Sequence, residues 1–385
     1  MKVLHLISSG GMYGAESVVA ALARDLQQMG HSTRVGIFVN AHQPQIDVAN
    51  QFEKRGVNVV RIPCRGRADR HAIGTIREII HSDGADILHT HGYKADIYGC
   101  VTGSKFDLPM IATRHGHLWT RQTPAICAYE FLDALFLRHF DAVVAVSDVI
   151  AEEVRRAGIS PLKVMTIDNG IDLSPFVSAP PTLSKEITKG DGLLVGTVAR
   201  LVMQKGIDYF LRAARDVLKE FPNTVFAIVG DGPDRQQLER LAKGLAIGSN
   251  VVFTGPRSDM PSVYASLDIF VLASLDEGMP MAVLEALASG RPVIATEVGA
   301  VPKLVVSGET GILVRAADAA GLTQALLSLI RAPDLRRRLG RNGKALVQEQ
   351  FSSGIMSRKY SQIYEDLLER KGRALDAAAL RDQSA

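Results

Sequence analysis

Short runs of aliphatic and β-branched residues recur along the first half of the chain, at residues 3–7, 34–39, 57–62, 86–89, 110–113 and 142–146. Longer stretches with apolar residues every three to four positions separate them. The same alternation restarts at 193–199 and continues through 225–229, 251–254, 269–273 and 293–295. The pattern predicts an α/β protein with two Rossmann-like domains in tandem, each a parallel sheet with helices on its faces. Between the two sets, residues 176–192 carry Pro180, Pro181, two glycines and several Ser and Thr with no period of either kind, which is linker composition. The expected boundaries are therefore a first domain over 1–175, a linker over 176–192, a second domain over 193–355 and a terminal helix and tail over 356–385. If each domain holds ligands at the carboxyl ends of its strands, substrates belong in an interdomain cleft where those loops face each other.

Composition agrees with that organisation and narrows the partners. A chain of 385 residues is long enough for two domains at about 150 residues each. It has 44 Lys plus Arg against 41 Asp plus Glu, and a net charge of +3 alone does not imply nucleic-acid binding. Cys64, Cys100 and Cys127 form no CxxC pair and leave one thiol unpaired under any disulfide scheme, which suits a reducing compartment. The first apolar run meets Gly10 and Gly11 at once, so no secretory segment is expected, and no window approaches 18 apolar residues. A cytoplasmic location is expected. All ten histidines fall before residue 140, so the two halves differ chemically.

Three segments carry candidate chemistry. Ser9-Gly10-Gly11-Met12-Tyr13-Gly14 follows the first strand and precedes a helical pattern, where a backbone can approach a phosphate at a helix N-terminus. The dinucleotide fingerprint needs Gly at Ser9 and an acid near Asn40, so NAD is not expected; a bare tight turn is the alternative. In the second domain Arg200 and Lys205-Gly206 flank the start of a helix with apolar spacing from Ile207. Arg, Lys and a helix dipole together can neutralise a diphosphate without a metal, whereas a solvated basic loop is the bland alternative. Glu277 then precedes a Gly278-Met279-Pro280-Met281 loop and Glu285 lies in the following helix, eight residues on. Backbone amides of that loop could meet sugar or phosphate oxygens and Glu285 could accept from ribose hydroxyls, unless both acids merely complement a helix N-terminus.

In company these residues resemble glycosyltransferase family 4, the retaining nucleotide-sugar enzymes of GT-B architecture. The resemblance rests on the E-x7-E spacing of Glu277 and Glu285, Arg200 with Lys205-Gly206, Asp168-Asn169-Gly170, Gly230-Asp231-Gly232, Thr254-Gly255, Gly290-Arg291-Pro292 and Val298-Gly299, in that family's order. It covers residues 2 to 365 and is strongest over 193–315. It implies an acceptor-binding first domain, a donor-binding second domain and a final helix, near 357–370, that crosses back to the first. Carried over position by position, Arg200 and Lys205 would bind the donor diphosphate, Glu285 the ribose, and Glu277 with the Gly278, Met279, Pro280 and Met281 segment the hexose. Gly11 and Gly14 would close over phosphates or acceptor, and Asn169 would join the donor site. His115 would stand at the donor sugar, His117 being the other ring within reach of that role. Glu277 is then a donor-positioning group and not a nucleophile.

No bound cofactor is expected beyond the donor substrate, a UDP-sugar or GDP-sugar, and no metal. No two aspartates are separated by one residue, so the metal-binding DxD of the other large glycosyltransferase fold is absent. His89-x-His91 and His115-x-His117 could offer four nitrogens to a metal, yet no Cys or acid stands at matching spacing. Arg336, Arg337, Arg338, Arg341 and Lys344 could touch anionic lipid as a peripheral contact, or form a solvated helix face. The expected partners are a nucleotide-sugar donor and a glycan or lipid-linked acceptor, in bacterial surface polysaccharide or lipopolysaccharide synthesis. Two readings compete: a nucleotide-sugar 2-epimerase of similar plan, and a non-catalytic nucleotide-sugar sensor. The intact set of Arg200, Lys205, Glu277 and Glu285 argues against the latter.

Overall fold

The computed structural model describes residues 1–9, 11–40, 48–66, 69–116, 132–188 and 192–382, with side chains described to residue 372 apart from Asn40. The chain forms two units, Met1–Gly170 with Ser353–Ala385, and Ile171–Ser352. In the first, β1 (Lys2–Ile7), β2 (Ser32–Asn40), β3 (Val59–Cys64), β4 (Ile87–His91), β5 (Met110–Arg114), β6 (Ala142–Ala145) and β7 (Val164–Thr166) pair in parallel in the order β3-β2-β1-β4-β5-β6-β7. In the second, β8 (Leu194–Val198), β9 (Val225–Val229), β10 (Val251–Gly255), β11 (Ile269–Leu272), β12 (Val293–Thr296) and β13 (Gly311–Val314) pair in the order β10-β9-β8-β11-β12-β13. Each is a doubly wound sheet whose order reverses beside its first strand, at β1/β4 and at β8/β11. In such sheets the carboxyl ends on either side of that reversal open a crevice that no connection crosses.

The helices follow from the periodicity. Ile207–Leu218 buries Ile207, Phe210, Leu211, Ala214 and Val217 along one stripe, against a core that includes Val195, Phe226, Ile228 and Val271. Arg70–Asp83 begins where the Asp69 carboxylate accepts from the His71 N–H and ends at Gly84 with φ +59°. Two edge strands are absent from the hydrophobic reading. β7 has three residues and β13 four, and most of their positions are half-buried, too few and too mixed to register as apolar runs.

The stretch read as linker is not irregular throughout. A 3-10 turn at Ser174–Phe176 and a helix at Thr182–Ile187 belong to the second unit, where Leu183 is fully buried. Arg257 pairs with Glu186 at 2.8 Å, and Thr182 donates to Asp259. The final helix, Ser353–Asp382, joins the first unit instead of continuing the second. Ser357 donates to Asp25 on the helix Gly14–Gln28, Ser361 bonds His31, and Tyr360 and Tyr364 are buried over the sheet. Among the described residues no helix is long and apolar enough to cross a membrane. Cys64 and Cys100 are buried free thiols, and Cys127 lies outside the described residues.

Candidate functional site

The charged candidates of the second unit gather at the β8/β11 reversal. β8 delivers Arg200, which is exposed and makes no side-chain hydrogen bond or ion pair among the described residues. A 3-10 turn, Met203–Lys205, then brings Lys205 back, and Gly206 follows at φ +59°, where a Cβ would collide with the Ala273 backbone at the end of β11. Lys205 Nζ donates to Glu277 Oε1 at 2.7 Å, and Ser274 Oγ donates to the same oxygen at 2.6 Å. The Glu277 side chain is 8% exposed, yet its Oε2 accepts no hydrogen bond among the described residues. One oxygen is therefore anchored and the other is left to a ligand.

The loop itself is fixed by backbone. Ala300 N–H donates to the Gly278 carbonyl, the Leu275 N–H to the Gln204 carbonyl, and Thr296 Oγ1 to the Ser274 carbonyl. Gly299, at φ +51°, packs so closely on Glu277 that a Cβ there would lie 2.7 Å from the Glu277 carbonyl carbon and 3.0 Å from the Gly278 oxygen. The helix Met281–Ala288 begins at Pro280 with no side-chain cap; the N–H groups of Val283 and Leu284 bond the Pro280 carbonyl, and those of Met281 and Ala282 make no hydrogen bond among the described residues. Glu285 sits on its second turn beside Tyr264; burial first, and then the Glu285 charge, push that phenol well above its usual pKa.

The first unit holds Gly11, Gly14, His115 and Asn169. Gly11 lies in a turn closed by Ser9 Oγ, and Gly14 opens the helix Gly14–Gln28, whose Glu16 accepts from the Tyr13 N–H at 2.9 Å. Asn169 is buried next to Gly170, whose N–H meets Met356 Sδ. Along the β1/β4 reversal runs a cavity of about 590 Å³ lined by Glu16, Tyr98, His91, Lys94, Arg114 and His115 among others. Arg114 is committed within it: it pairs with buried Asp133 and stacks 4.4 Å from the Tyr93 ring. Burial raises the Glu16 carboxyl above its ordinary pKa. His117 and Gly10 lie outside the described residues.

The histidines are arranged differently from the paired motifs. His5, His89 and His91 come together because His5 of β1 is in register with His89 of β4, and His91 shares the face of His89. A ring nitrogen of each lies within 4.8 Å of the others, a spacing at which a transition ion deserves a test. Both nitrogens of His89 are engaged, Nδ1 with Tyr364 Oη and Nε2 with Thr113 Oγ1, each at 2.7 Å, and among the described residues no carboxylate joins the three. A buried divalent charge would therefore lack both a free third ligand and neutralisation. His5, as the only polar residue in its apolar run, was the available sequence signal; the register that seats it beside His89 was not. Arg336, from the basic run, donates to the Leu329 and Ile330 carbonyls and is not a free surface cation.

The description "Glycosyltransferase Family 4" matches residues 12–175 and "Glycosyl transferases group 1" matches residues 181–346. The chain belongs to glycosyltransferase family 4. Among family relatives it is 27% identical over 226 residues to the Escherichia coli UDP-Gal:alpha-D-GlcNAc-diphosphoundecaprenol alpha-1,3-galactosyltransferase, covering 56% of this chain and 58% of that protein. It is 28% identical to the Bacillus anthracis N-acetyl-alpha-D-glucosaminyl L-malate synthase, over 94% of this chain and 95% of that one. The chain thus spans about three fifths of the length of the first curated relatives it matches. The fold is shared with Anabaena Alr3699/HepE, solved in complex with UDP and glucose, at TM-score 0.83 and 20% identity over 95% of this chain and 100% of that one. The family 4 chain therefore has the GT-B fold, built from its two parallel sheets.

Proposed function

We propose that this chain is a retaining, metal-independent glycosyltransferase that moves a hexose-type sugar from a UDP-sugar or GDP-sugar to a hydroxyl of a glycan or lipid-linked acceptor. The observation that carries the reading is Glu277, held through one oxygen by Lys205 and Ser274 with the other oxygen free, beside unpaired Arg200 at the reversal of the second sheet. Arg200 and Lys205 neutralise the diphosphate, most of all as it becomes the leaving group. Glu285 accepts from the ribose hydroxyls. Glu277 Oε2 and the amides of Gly278 to Met281 hold the hexose, with the Lys205 and Ser274 contacts to Oε1 fixing the orientation of the carboxylate. Within the first unit, Gly11, Gly14, His115 and Asn169 are the groups read as ligand contacts.

The acceptor belongs to the cavity of that first unit, whose Lys94 and Arg65 suit an acceptor that carries negative charge. The names of two relatives contain such groups, a diphosphoundecaprenol and L-malate. A lipid-linked acceptor would bring the protein to the cytoplasmic face of a membrane as a peripheral visitor.

The test is thermal stabilisation by UDP, GDP, ADP and their sugars, with and without EDTA. A ligand at 100 times its Kd stabilises by about 2.7 kcal/mol if it binds only the folded state. One nucleotide family should shift the melting temperature and EDTA should leave that shift in place; no shift with any nucleotide sinks the reading. Anomeric analysis of the product by NMR then checks retention. Turnover of a nucleotide sugar without any acceptor, with inversion at C2, would mean an epimerase.

A further inference from the structure

The histidines of the first sheet form a continuous chain. His5 Nδ1 faces His91 Nε2 at 3.2 Å, and His91 Nδ1 faces His115 Nε2 at 3.2 Å. The two ends, His5 Nε2 and His115 Nδ1, are buried without a partner among the described residues. Three neutral imidazoles in series have three protons, so the chain can run in only two directions. In one, His115 donates toward His5 and an N–H is stranded at His5 Nε2. In the other, His5 donates to His91, His91 donates to His115, and the spare N–H is at His115 Nδ1. A stranded N–H is the costlier end to bury. His5 is fully buried in the sheet and away from the cavity, whereas His115 is only partly buried and lines the cavity, so it is the end nearer to water when the site is empty and to a ligand oxygen when it is filled.

We propose that His5 and His91 are positioning residues that lock His115 as the Nδ1–H tautomer, so that His115 enters the reaction as a neutral hydrogen-bond donor to a ligand oxygen. The proposal rests on the reading of His115 as a ligand-contacting group. Neutrality is imposed by burial, which lowers His5 to about 3 and His115 to about 4, the neighbouring Arg114 cation adding to the effect at His115. The other groups around the chain are His89, Tyr360 and Tyr364, with no carboxylate in contact with the three rings among the described residues.

The experiment uses the full chain labelled with 15N-histidine and needs no sugar nucleotide, so it can fail while the transferase reading stands, and the reverse. Two-bond 1H–15N spectra near pH 7.5 separate Nδ1–H, Nε2–H and charged rings, with His115→Asn giving the assignment. His115 should favour the Nδ1–H form by about two- to tenfold, the ratio that one net hydrogen bond supports. Asn can donate or accept, so His91→Asn and His5→Asn should each erase that preference while keeping a polar partner in place. His5 has no hydrogen bond to His115, so a change at His115 in His5→Asn reports transmission through His91 and not local damage. The proposal is overturned by wild-type His115 as Nε2–H or as the cation, or by an unchanged His115 pattern in both variants. One equivalent of zinc in the purified chain, lost in His5→Asn, would overturn it in favour of a metal site.

Discussion

Gly299→Ala tests whether the Glu277 loop is held by a backbone approach that only glycine allows. Gly299 has φ +51°, and a Cβ there would stand 2.7 Å from the Glu277 carbonyl carbon, 3.0 Å from the Gly278 oxygen and closer still to the Glu277 oxygen. Two costs add. An L-residue in the left-handed region costs roughly 1–2 kcal/mol. Relieving the overlap requires the 277–278 peptide to move by about 1 Å, which breaks the Ala300 N–H to Gly278 bond and adds about 1–3 kcal/mol for a carbonyl left without its partner.

Gly308→Ala separates the two. Gly308 has φ +82° in the same unit and nothing lies within 4 Å of its Cβ position, so it bears the dihedral cost without the overlap. The expected results are a loss of about 1–2 kcal/mol for Gly308→Ala and about 2–5 kcal/mol for Gly299→Ala, read as denaturation midpoints of the second unit's transition. Donor turnover should stay near wild type in the first and fall about 100-fold in the second, since a 1 Å misplacement of a binding group costs that much. Equal stability losses, or a Gly299→Ala protein with unimpaired turnover, would refute the claim that this contact sets the loop.

Three further outcomes follow from the geometry. Glu285→Ala should weaken nucleotide binding most, Glu277→Ala should reduce kcat more than affinity, and Lys205→Met should damage both by about 2–4 kcal/mol in transition-state terms; isothermal titration beside steady-state kinetics reads the split. The buried histidines make the first unit acid-sensitive. Burial holds their folded pKa values below the ordinary 6.5, at about 3 for His5 and about 4 for His115, so the unfolded chain binds more protons between those limits. Stability should be complete above pH 6.5 and fall below it by about 1.4 kcal/mol per pH unit per imidazole, and His5→Asn should remove about one proton from the slope of midpoint against pH. Ending the chain at residue 352 removes Tyr364 from His89, Tyr360 from Thr113 and Ser357 from Asp25, so the first unit should lose its cooperative transition in calorimetry while the second keeps its own.

What the sequence made legible and what it did not divide along a physical line. Strand runs and the residues just after them are readable, because hydrophobic period and glycine position are local properties; Arg200, Lys205, Glu277 and Glu285 stand out as candidates in that way. The partners that orient them do not. Ser274 reads as an ordinary strand-end serine until its hydroxyl is seen on Glu277 Oε1, and Tyr264 reads as core until Glu285 stands beside it. The histidines show the same limit: the i,i+2 spacing of His89 and His91 gave a shared face, but bringing in His5 took a strand register, which depends on the whole sheet. The segment at 182–187 was read as linker from its prolines and glycines; its helix is short and is held by Leu183 and the Arg257–Glu186 pair, both tertiary.

The two sheets share one topology and dress its reversal point differently. At β8/β11 the ends carry the charged side chains Arg200, Lys205, Glu277 and Glu285, with Lys205 and Glu277 paired to each other. At β1/β4 the ends carry imidazoles stripped of charge by burial, roofed by tyrosines of the final helix. A leaving diphosphate gains charge as its bond breaks and rewards fixed cations, whereas a sugar developing positive character is harmed by another cation close by. Depressing the histidine pKa values leaves these rings as hydrogen-bonding groups that carry no positive charge. The final helix therefore has a chemical consequence as well as a structural one: by excluding water from His5, His89 and His91 it keeps the first unit's contribution neutral, and exposing that face should return the imidazoles toward their ordinary pKa.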